Sequence, residues 1–245
     1  MSIYRGILTG CNEAFIVDEA KRTEILSWCQ DASERERTEQ LIRPILRGRD
    51  IKRYGYKWAG LYLIATHNGY AGTPRIDISS YPAVKRHLDS RWAKISRRSD
   101  KGDTPYNLRN CAYMDDFSKP KIVWGEISDR TKFAFDAKGE FMQEATTFLL
   151  TGEHLEYLLC YLNSPLSEYL FSKIGTTTGV GTVRWKKFKL EQLYVPRFED
   201  ADNFFHSHLL RWLKTKDVET LHSINKKIYS LCGLSAEEVA FIEAQ

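Results

Sequence analysis

The sequence predicts an α+β domain, built on a mixed or antiparallel sheet, followed by a small helical tail. Three observations predict it. Short apolar runs such as WAGLYLIAT, KIVWGEIS and ATTFLLTG have strand length and β-branched or aromatic content. The helical patterns between them are segregated rather than alternating regularly with strands, which argues against a doubly wound parallel sheet. From about residue 199 the pattern becomes helical throughout, so the expected division is 1–198 for the domain and 199–245 for the tail.

Taken in order, IYRGILTGCNEAFIVD predicts two short strands joined by a Gly-Cys-Asn turn. Residues 18–30 alternate charged and apolar residues in a helical manner, and DASERERTEQ is a loop or a solvated helix. WAGLYLIAT suits a buried strand, and HNGYAGTPRIDISS, rich in Gly, Pro and Ser, reads as a loop. One helix is expected from Pro82, with Val84, Leu88, Trp92 and Ile95 on its apolar face. KIVWGEIS and TKFAFDA read as consecutive strands after the loop DKGDTPYNLRN. Thr151 is placed to cap GEHLEYLLCYLN, and Ser164-Pro165 opens LSEYLFSKI. GTTTGVGTVRW reads as a glycine-rich loop, and WKKFKLEQLYVP as a short helix and strand. In the tail, Leu221, Ile224, Ile228 and Leu231 share a helical face. Gly233 is the expected C-cap, and Ser235 with Glu238 forms a capping box for a last helix.

The chain has 245 residues with 42% hydrophobic content and a mean hydropathy of −0.44, enough for a sizeable core. No run approaches the roughly 18 apolar residues of a membrane span, and residues 1–20 carry no signal-peptide pattern. Five scattered cysteines without a C-x-x-C spacing indicate neither a zinc site nor a disulfide framework, so a reducing cytoplasm is the expected compartment. The net charge is only +4, but its distribution is uneven. Residues 41–60 carry six basic and one acidic side chain, residues 81–110 eight and three, and residues 170–198 six and one. Three basic islands on an acidic background suit a polyanion-facing surface if folding brings them together. Solvated basic faces are the alternative.

Catalytic constellations are mostly missing. An amino-methylating site needs Asn/Asp-Pro-Pro-aromatic, and the nearest string, Asn163-Ser164-Pro165-Leu166, lacks the aromatic and reads as a helix cap. Gly175, Gly179 and Gly181 have no preceding strand and do not form a cofactor loop. Asp50-Ile51-Lys52 and Glu19-Ala20-Lys21 have the local form of a metal-dependent nuclease motif, without a well-placed upstream acid. His206 and His208 are two apart on a helical segment and face different ways. Neither catalytic nor metal-binding residues are therefore assigned, and Asp50 is read as an orienting partner for a neighbouring Arg or backbone N–H.

Several stretches together carry a family resemblance. They are GILTGCNEAFIVD, LIRPILRGRDIKRYGY with WAGLYLIAT, YPAVKRHLDSRWAKISRRSDKGDTPYNLRN, KPKIVWGEISD, LLCYLNSPLSEYLF with GTTTGVGTVRWKKFKLEQLYVP, and INKKIYSLCGLSAEEVAFIE. In this order the chain resembles the TaqI-like C-terminal specificity domain of type IIG restriction–modification enzymes. More distantly it is similar to type I restriction specificity subunits. The resemblance implies a target-recognition domain binding double-stranded DNA. It implies adenine-N6 methylation and cleavage by methyltransferase and endonuclease parts outside this chain, which would use S-adenosylmethionine and Mg. It also implies a fragment of a larger enzyme or a separate specificity polypeptide.

Phosphate contacts give affinity and register, whereas loops in the major groove read bases. Arg49, Lys52, Arg53, Arg97, Arg98, Lys101, Lys186 and Lys187 are the expected phosphate contacts. Thr176, Thr177 and Thr178, with the backbone N–H groups of loop 175–182, are expected to clamp phosphate or a base edge. His67, Asn68, Arg75, Asn107, Arg109 and Arg184 are the expected base readers. Ile45, Leu46, Ile51, Trp92 and Trp124 are expected in the core, and Leu221, Ile224 and Ile228 are expected to pack the tail on the domain or on a methyltransferase. Three other readings stay open: an RNA or single-strand binder, a protein-interaction module working through the tail, and a self-contained nuclease.

Overall fold

The structure is a computed structural model that describes residues 1–179, 181–198 and 203–245. In chain order the elements are β1 (Ser2–Arg5), α1 (Asn12–Phe15), β2 (Ile16–Asp18), α2 (Glu19–Ser27), α3 (Ala32–Leu41), β3 (Ile42–Leu46), β4 (Ile51–Lys52), β5 (Gly55–Tyr56) and β6 (Leu61–Ile64). Then come α4 (Pro82–Asp89), α5 (Trp92–Ile95), β7 (Lys121–Gly125), β8 (Ile127–Ser128), β9 (Phe133–Asp136), β10 (Met142–Gln143) and β11 (Thr147–Thr151). The last are α6 (Leu155–Leu162), α7 (Pro165–Ile174), β12 (Thr176–Thr177), β13 (Val183–Arg184), α8 (Lys187–Leu190), α9 (Phe204–Thr215), α10 (Val218–Leu231) and α11 (Ala236–Glu243).

The central sheet has the order β1-β11-β7-β9 and is antiparallel throughout. A second sheet, β10-β3-β6-β2, has one parallel pair, β10 with β3. The expected α+β class with a mixed sheet is therefore what forms. The two strands expected at the start do form, but they part company across α1: β1 joins the central sheet and β2 the second.

Side chains alternate across the central sheet and separate two cores. Val123, Ala134 and Leu149 face a first core with Phe15, Ile42, Ile45, Leu63, Val84 and Phe117. Their neighbours Ile122, Trp124, Phe133, Phe148 and Leu150 face a second core with α6, α7, α9 and α10. Both faces are covered, which is why KIVW and TFLL read as continuous apolar runs rather than polar–apolar alternation. Phe205, Leu209, Ile224 and Ile228 of the tail are fully buried in the second core, so the tail packs on the domain. The expected 198/199 boundary abuts residues 199–202, which lie outside the described residues.

Local chemistry sets the helix ends. Asp18 and Asp31 accept from Lys21 N–H and Glu34 N–H to start α2 and α3. Ser164 caps α7 with Pro165 in its first turn. α10 ends in a Schellman motif: Gly233 sits at φ +68°, its N–H donates to Ser230 O, and Leu234 N–H donates to Tyr229 O. The Ser235–Glu238 capping box forms as expected. Among the described residues, no helix is long and apolar enough to cross a membrane.

Four expectations fail. Thr151 does not cap α6; it ends β11 and its hydroxyl donates to Asp116 Oδ1 at 2.8 Å, while His154 precedes α6 in a left-handed conformation. The helix from Pro82 breaks at Ser90–Arg91, where Arg91 leaves helical geometry. Trp92 then turns outward, 45% exposed against Tyr106, and is not core. GTTTGVGTVRW is not wholly loop: β12 and β13 pair as a hairpin whose β13 continues onto β8. The segment after α8 forms no strand, because Tyr161 OH and Tyr157 OH hold the carbonyls of Tyr194 and Pro196 instead.

Candidate functional site

The stretch IRPILRGRDIKRYGY builds the first wall of the site. Ile42, Ile45 and Leu46 of β3 bury, and the chain turns through a short 3-10 helix at Gly48–Asp50. Asp50 accepts from Arg47 N–H at 2.9 Å, Nε at 3.0 Å and Nη2 at 2.8 Å. Burial alone would raise its carboxyl, but the Arg47 bonds overcome this and hold it below the usual carboxylate range. Asp50 is thus an orienting partner. Beyond it, β4 and β5 form a hairpin whose turn residue Tyr54 is left-handed, at φ +62°. Its ring is buried in the second core, edge-on to Trp212, while Ile51 lies in the first.

Arg49 of the 3-10 turn and Lys52 of this hairpin line an open cleft of about 510 Å³. Arg184 of β13, Thr182 of the glycine-rich hairpin, and Lys132 from the β8–β9 turn complete it. Gly48 and Gly125 meet on its floor, where a Cβ on Gly125 would lie 3.1 Å from Gly48 Cα. Two acids, Glu126 and Asp129, offset half of the four cations. Lys132 Nζ meets Asp129 at 2.5 Å, and Arg184 Nη1 meets Glu126 Oε1 at 3.1 Å. The Lys132 hydrogen bond holds the Asp129 carboxyl below its ordinary range.

Glu126 also links this cleft to a second one. Its Oε2 lies 3.6 Å from Arg5 Nη2, and Arg5 Nε donates to Ala145 O at 2.7 Å. Arg5 lines a neighbouring cleft of about 380 Å³ with Arg109, Asn110 and Tyr113. Burial pushes the Tyr113 phenol up to about 12, and its ring stacks on Tyr4 at 4.3 Å. Arg109 lies 3.6 Å from Asp100.

Of the expected base readers, Arg184 and Arg109 therefore stand in linked clefts. His67, Asn68 and Arg75 occupy a loop tied to the 100–110 loop. Asn68 Nδ2 donates to Asp103 Oδ1 at 2.9 Å, Asp103 N–H donates back to Asn68 Oδ1, and Arg75 reaches Asp103 at 3.3 Å. His67 is half-buried, edge-on to Tyr70, and burial lowers its pKa. Asn107 is a correction: it is 1% exposed and donates to Ile76 O at 2.9 Å and His67 O at 3.3 Å, which staples the two loops.

Of the expected phosphate contacts, Arg49, Lys52, Arg53, Arg97, Lys101 and Lys187 are exposed. Arg98 is a second correction, because it is buried with its guanidinium donating to the carbonyls of Thr9, Asp100, Pro105 and Asn107. Burial pulls it down to about 10. Arg53 turns away from the cleft, donating to Asn163 O at 3.1 and 2.6 Å at the C-terminus of α6. Lys186 precedes α8 half-buried, and Lys187 lines a separate apolar groove with Met1–Tyr4. Thr176 and Thr177 are exposed on β12, and Thr178 N–H closes the hairpin on Thr182 O at 2.9 Å. Val180, within the expected 175–182 clamp, lies outside the described residues.

Islands one and three thus meet in the first cleft, and part of island two joins through Arg109 and Arg5. Of the rest of island two, Arg98 is buried, Arg86 covers Trp28 at 4.3 Å and Lys94 pairs with Glu13 at 2.6 Å, while Arg97 and Lys101 are exposed outside the lining of both clefts. Sequence reasoning missed Arg5, Glu126 and Lys132. Each sits outside the three basic islands, in a net-acidic segment, so counting islands passed over them.

A family model described as the TaqI-like C-terminal specificity domain matches residues 43–195. The type II methyltransferase M.PaeR7I of Pseudomonas aeruginosa is 23% identical over 240 residues, covering 95% of this chain and 38% of that protein. Among solved structures, the type IIL restriction-modification enzyme MmeI, determined in complex with DNA, matches with a TM-score of 0.68 at 12% identity. That match covers 99% of this chain and 35% of the MmeI chain. The chain therefore spans little more than a third of the length of these relatives.

Proposed function

Because the chain belongs to the family of TaqI-like C-terminal specificity domains, we propose that it recognises a short sequence in double-stranded DNA for a restriction–modification enzyme. The observation that carries this reading is the pair of linked clefts. They gather Arg49, Lys52, Lys132 and Arg184 in one and Arg5 and Arg109 in the other. Exposed Lys and Arg gain affinity by releasing counterions from phosphates, and a guanidinium at a groove can take guanine O6 and N7. Under this reading Arg49 and Lys52 hold phosphates, and Arg184 and Arg109 read bases. Thr176 and Thr177 flank the duplex on the glycine-rich hairpin.

The first cleft also favours duplex over single strands. Unstacked bases are gripped by aromatic faces, and among the described residues none lining this cleft is aromatic. Adenine-N6 methylation and DNA cleavage belong, in this proposal, to methyltransferase and nuclease parts outside the chain, with S-adenosylmethionine and Mg as their cofactors and the cytoplasm as their compartment. The test is a selection from duplexes with randomised centres, followed by binding of the winner across a salt series. A preferred site with steeply salt-dependent affinity is the expected result. Saturating selection without a preferred sequence, or tighter binding of the matching single strand, would sink the proposal.

A further inference from the structure

We infer that Glu126 is a specificity-determining positioning residue: its carboxylate, between Arg184 and Arg5 at the seam of the two clefts, fixes the direction of both guanidiniums and lowers the cleft's affinity for any polyanion. The inference rests on the DNA-reading proposal above and adds to it a residue whose charge has the wrong sign for a phosphate grip.

Glu126 is held from both sides. Its N–H donates to Thr146 O at 2.8 Å, and Trp185 N–H donates to its carbonyl at 2.7 Å. The backbone thereby ties β7, β11 and β13 together at the point from which the side chain enters the cleft. Arg184 stands opposite Ile127 in the β13–β8 ladder, one residue from Glu126, and Arg5 is pinned through Nε to Ala145 O. The carboxylate takes one N–H group from Arg184 at 3.1 Å and faces Arg5 at 3.6 Å. The Glu126 side chain is 16% exposed, whereas those of Arg184 and Arg5 are 40% and 58% exposed. The acid is thus more recessed than the two guanidiniums it pairs with, which stay partly exposed. A guanidinium has five N–H donors in a rigid fork, so anchoring one edge directs the other. A freely rotating Arg would satisfy phosphates in many poses and discriminate bases poorly. A carboxylate beside a phosphate-rich ligand is repulsive. The residue therefore weakens non-specific binding while it orders the readers, which is how specificity is gained through disfavoured alternatives.

The test measures Glu126→Gln, Glu126→Asp and Arg184→Lys in the whole chain against two probes: the duplex recovered by selection and a duplex pool of randomised sequence. Glu126→Gln keeps an acceptor and the side-chain size but loses the charge that holds two cations. It is expected to bind the random pool roughly threefold tighter or more, and to lose roughly tenfold in preference for the selected duplex, with an unchanged melting temperature. Glu126→Asp retains the charge and is expected to keep the random-pool affinity low. In Glu126→Gln/Arg184→Lys the loss of preference should fall well short of the product of the two single losses, because the acid acts in large part through that arginine, with Arg5 carrying the remainder. An unchanged preference in Glu126→Gln overturns the inference. So does an equal weakening on both probes with a lowered melting temperature, which marks a mere brace. A wild-type chain without any preferred duplex overturns the DNA-reading proposal and this inference together.

Discussion

The Arg98 guanidinium donates to four carbonyls, those of Thr9, Asp100, Pro105 and Asn107, and lies over the Phe15 ring at 4.4 Å. Its neighbour Arg97 is exposed. Two adjacent arginines of one basic island therefore divide between fold and surface, and composition could not separate them. Arg98→Met should cost about 3 kcal/mol or more, because it strips charged donors from buried carbonyls. Arg97→Gln should alter stability by less than about 0.5 kcal/mol. Urea denaturation of both variants checks the contrast. His87 gives a prediction in pH. It is buried, its Nε2 lies 2.9 Å from Ala14 O, and burial lowers its pKa against the smaller opposing effect of that bond. The folded protein thus holds His87 neutral in a window below about 6.5 where the unfolded chain is already protonated. The unfolded state binds more protons there, so stability rises with pH across the window and falls on acidification. Below the folded pKa the loss levels off. Melting temperatures at about pH 7.5 and 5.5 should differ more for the wild type than for His87→Asn; equal differences would remove His87 as the cause.

Among the elements, the β4–β5 hairpin shows how a surface grip is fixed from inside. Tyr54 holds a left-handed backbone that only its buried surroundings make tolerable for an aromatic residue. Its N–H donates to Phe133 O at 2.8 Å, and Arg53 beside it clamps Asn163 O. Lys52 and Arg49 on the outer side inherit that rigidity. Lys52→Gln should lower the salt slope of DNA binding by about one and leave stability nearly unchanged. Arg53→Gln should do the reverse, lowering the melting temperature with the slope intact. Identical effects of the two substitutions would show that Arg53 also reaches phosphate. The helix caps at Ser164, Gly233 and Ser235 were legible in the sequence, because each depends on neighbours within a few residues. Trp92 was not: its four-residue spacing from Leu88 suits a helical face, and only the polar break at Ser90–Arg91 rotates it outward. Thr151 was misread for a similar reason. A strand end and a helix cap have the same local sequence, and Asp116, 35 residues away, decides between them.

Over the whole molecule, the α+β class was legible from runs and caps, while the meeting of the basic islands was not. Arg5 reaches Glu126 because β1 lies beside β11 and β11 beside β7, pairings between residues more than a hundred apart in the chain or between non-consecutive strands. Periodicity carries no information about such partners. The same central sheet settles what the tail does. Its second face is closed by α6, α9 and α10, with Phe205, Leu209, Ile224 and Ile228 each at most 1% exposed. Burying four such side chains contributes on the order of 6 kcal/mol or more, comparable with the roughly 5–15 kcal/mol that holds a whole domain together. We therefore propose that the division at 198/199 is one of composition and not of folding. A chain ending at residue 198 would expose Trp124, Phe148 and the α6 face to water and release Tyr54 from Trp212. It should be insoluble or melt far below the full chain, and any soluble fraction should bind the selected duplex more weakly with a shallower salt slope, because the hairpin carrying Lys52 loses its inner anchor. A truncated chain with the full chain's melting temperature and duplex affinity would instead make the tail an independent appendage, and the grip a property of residues 1–198 alone.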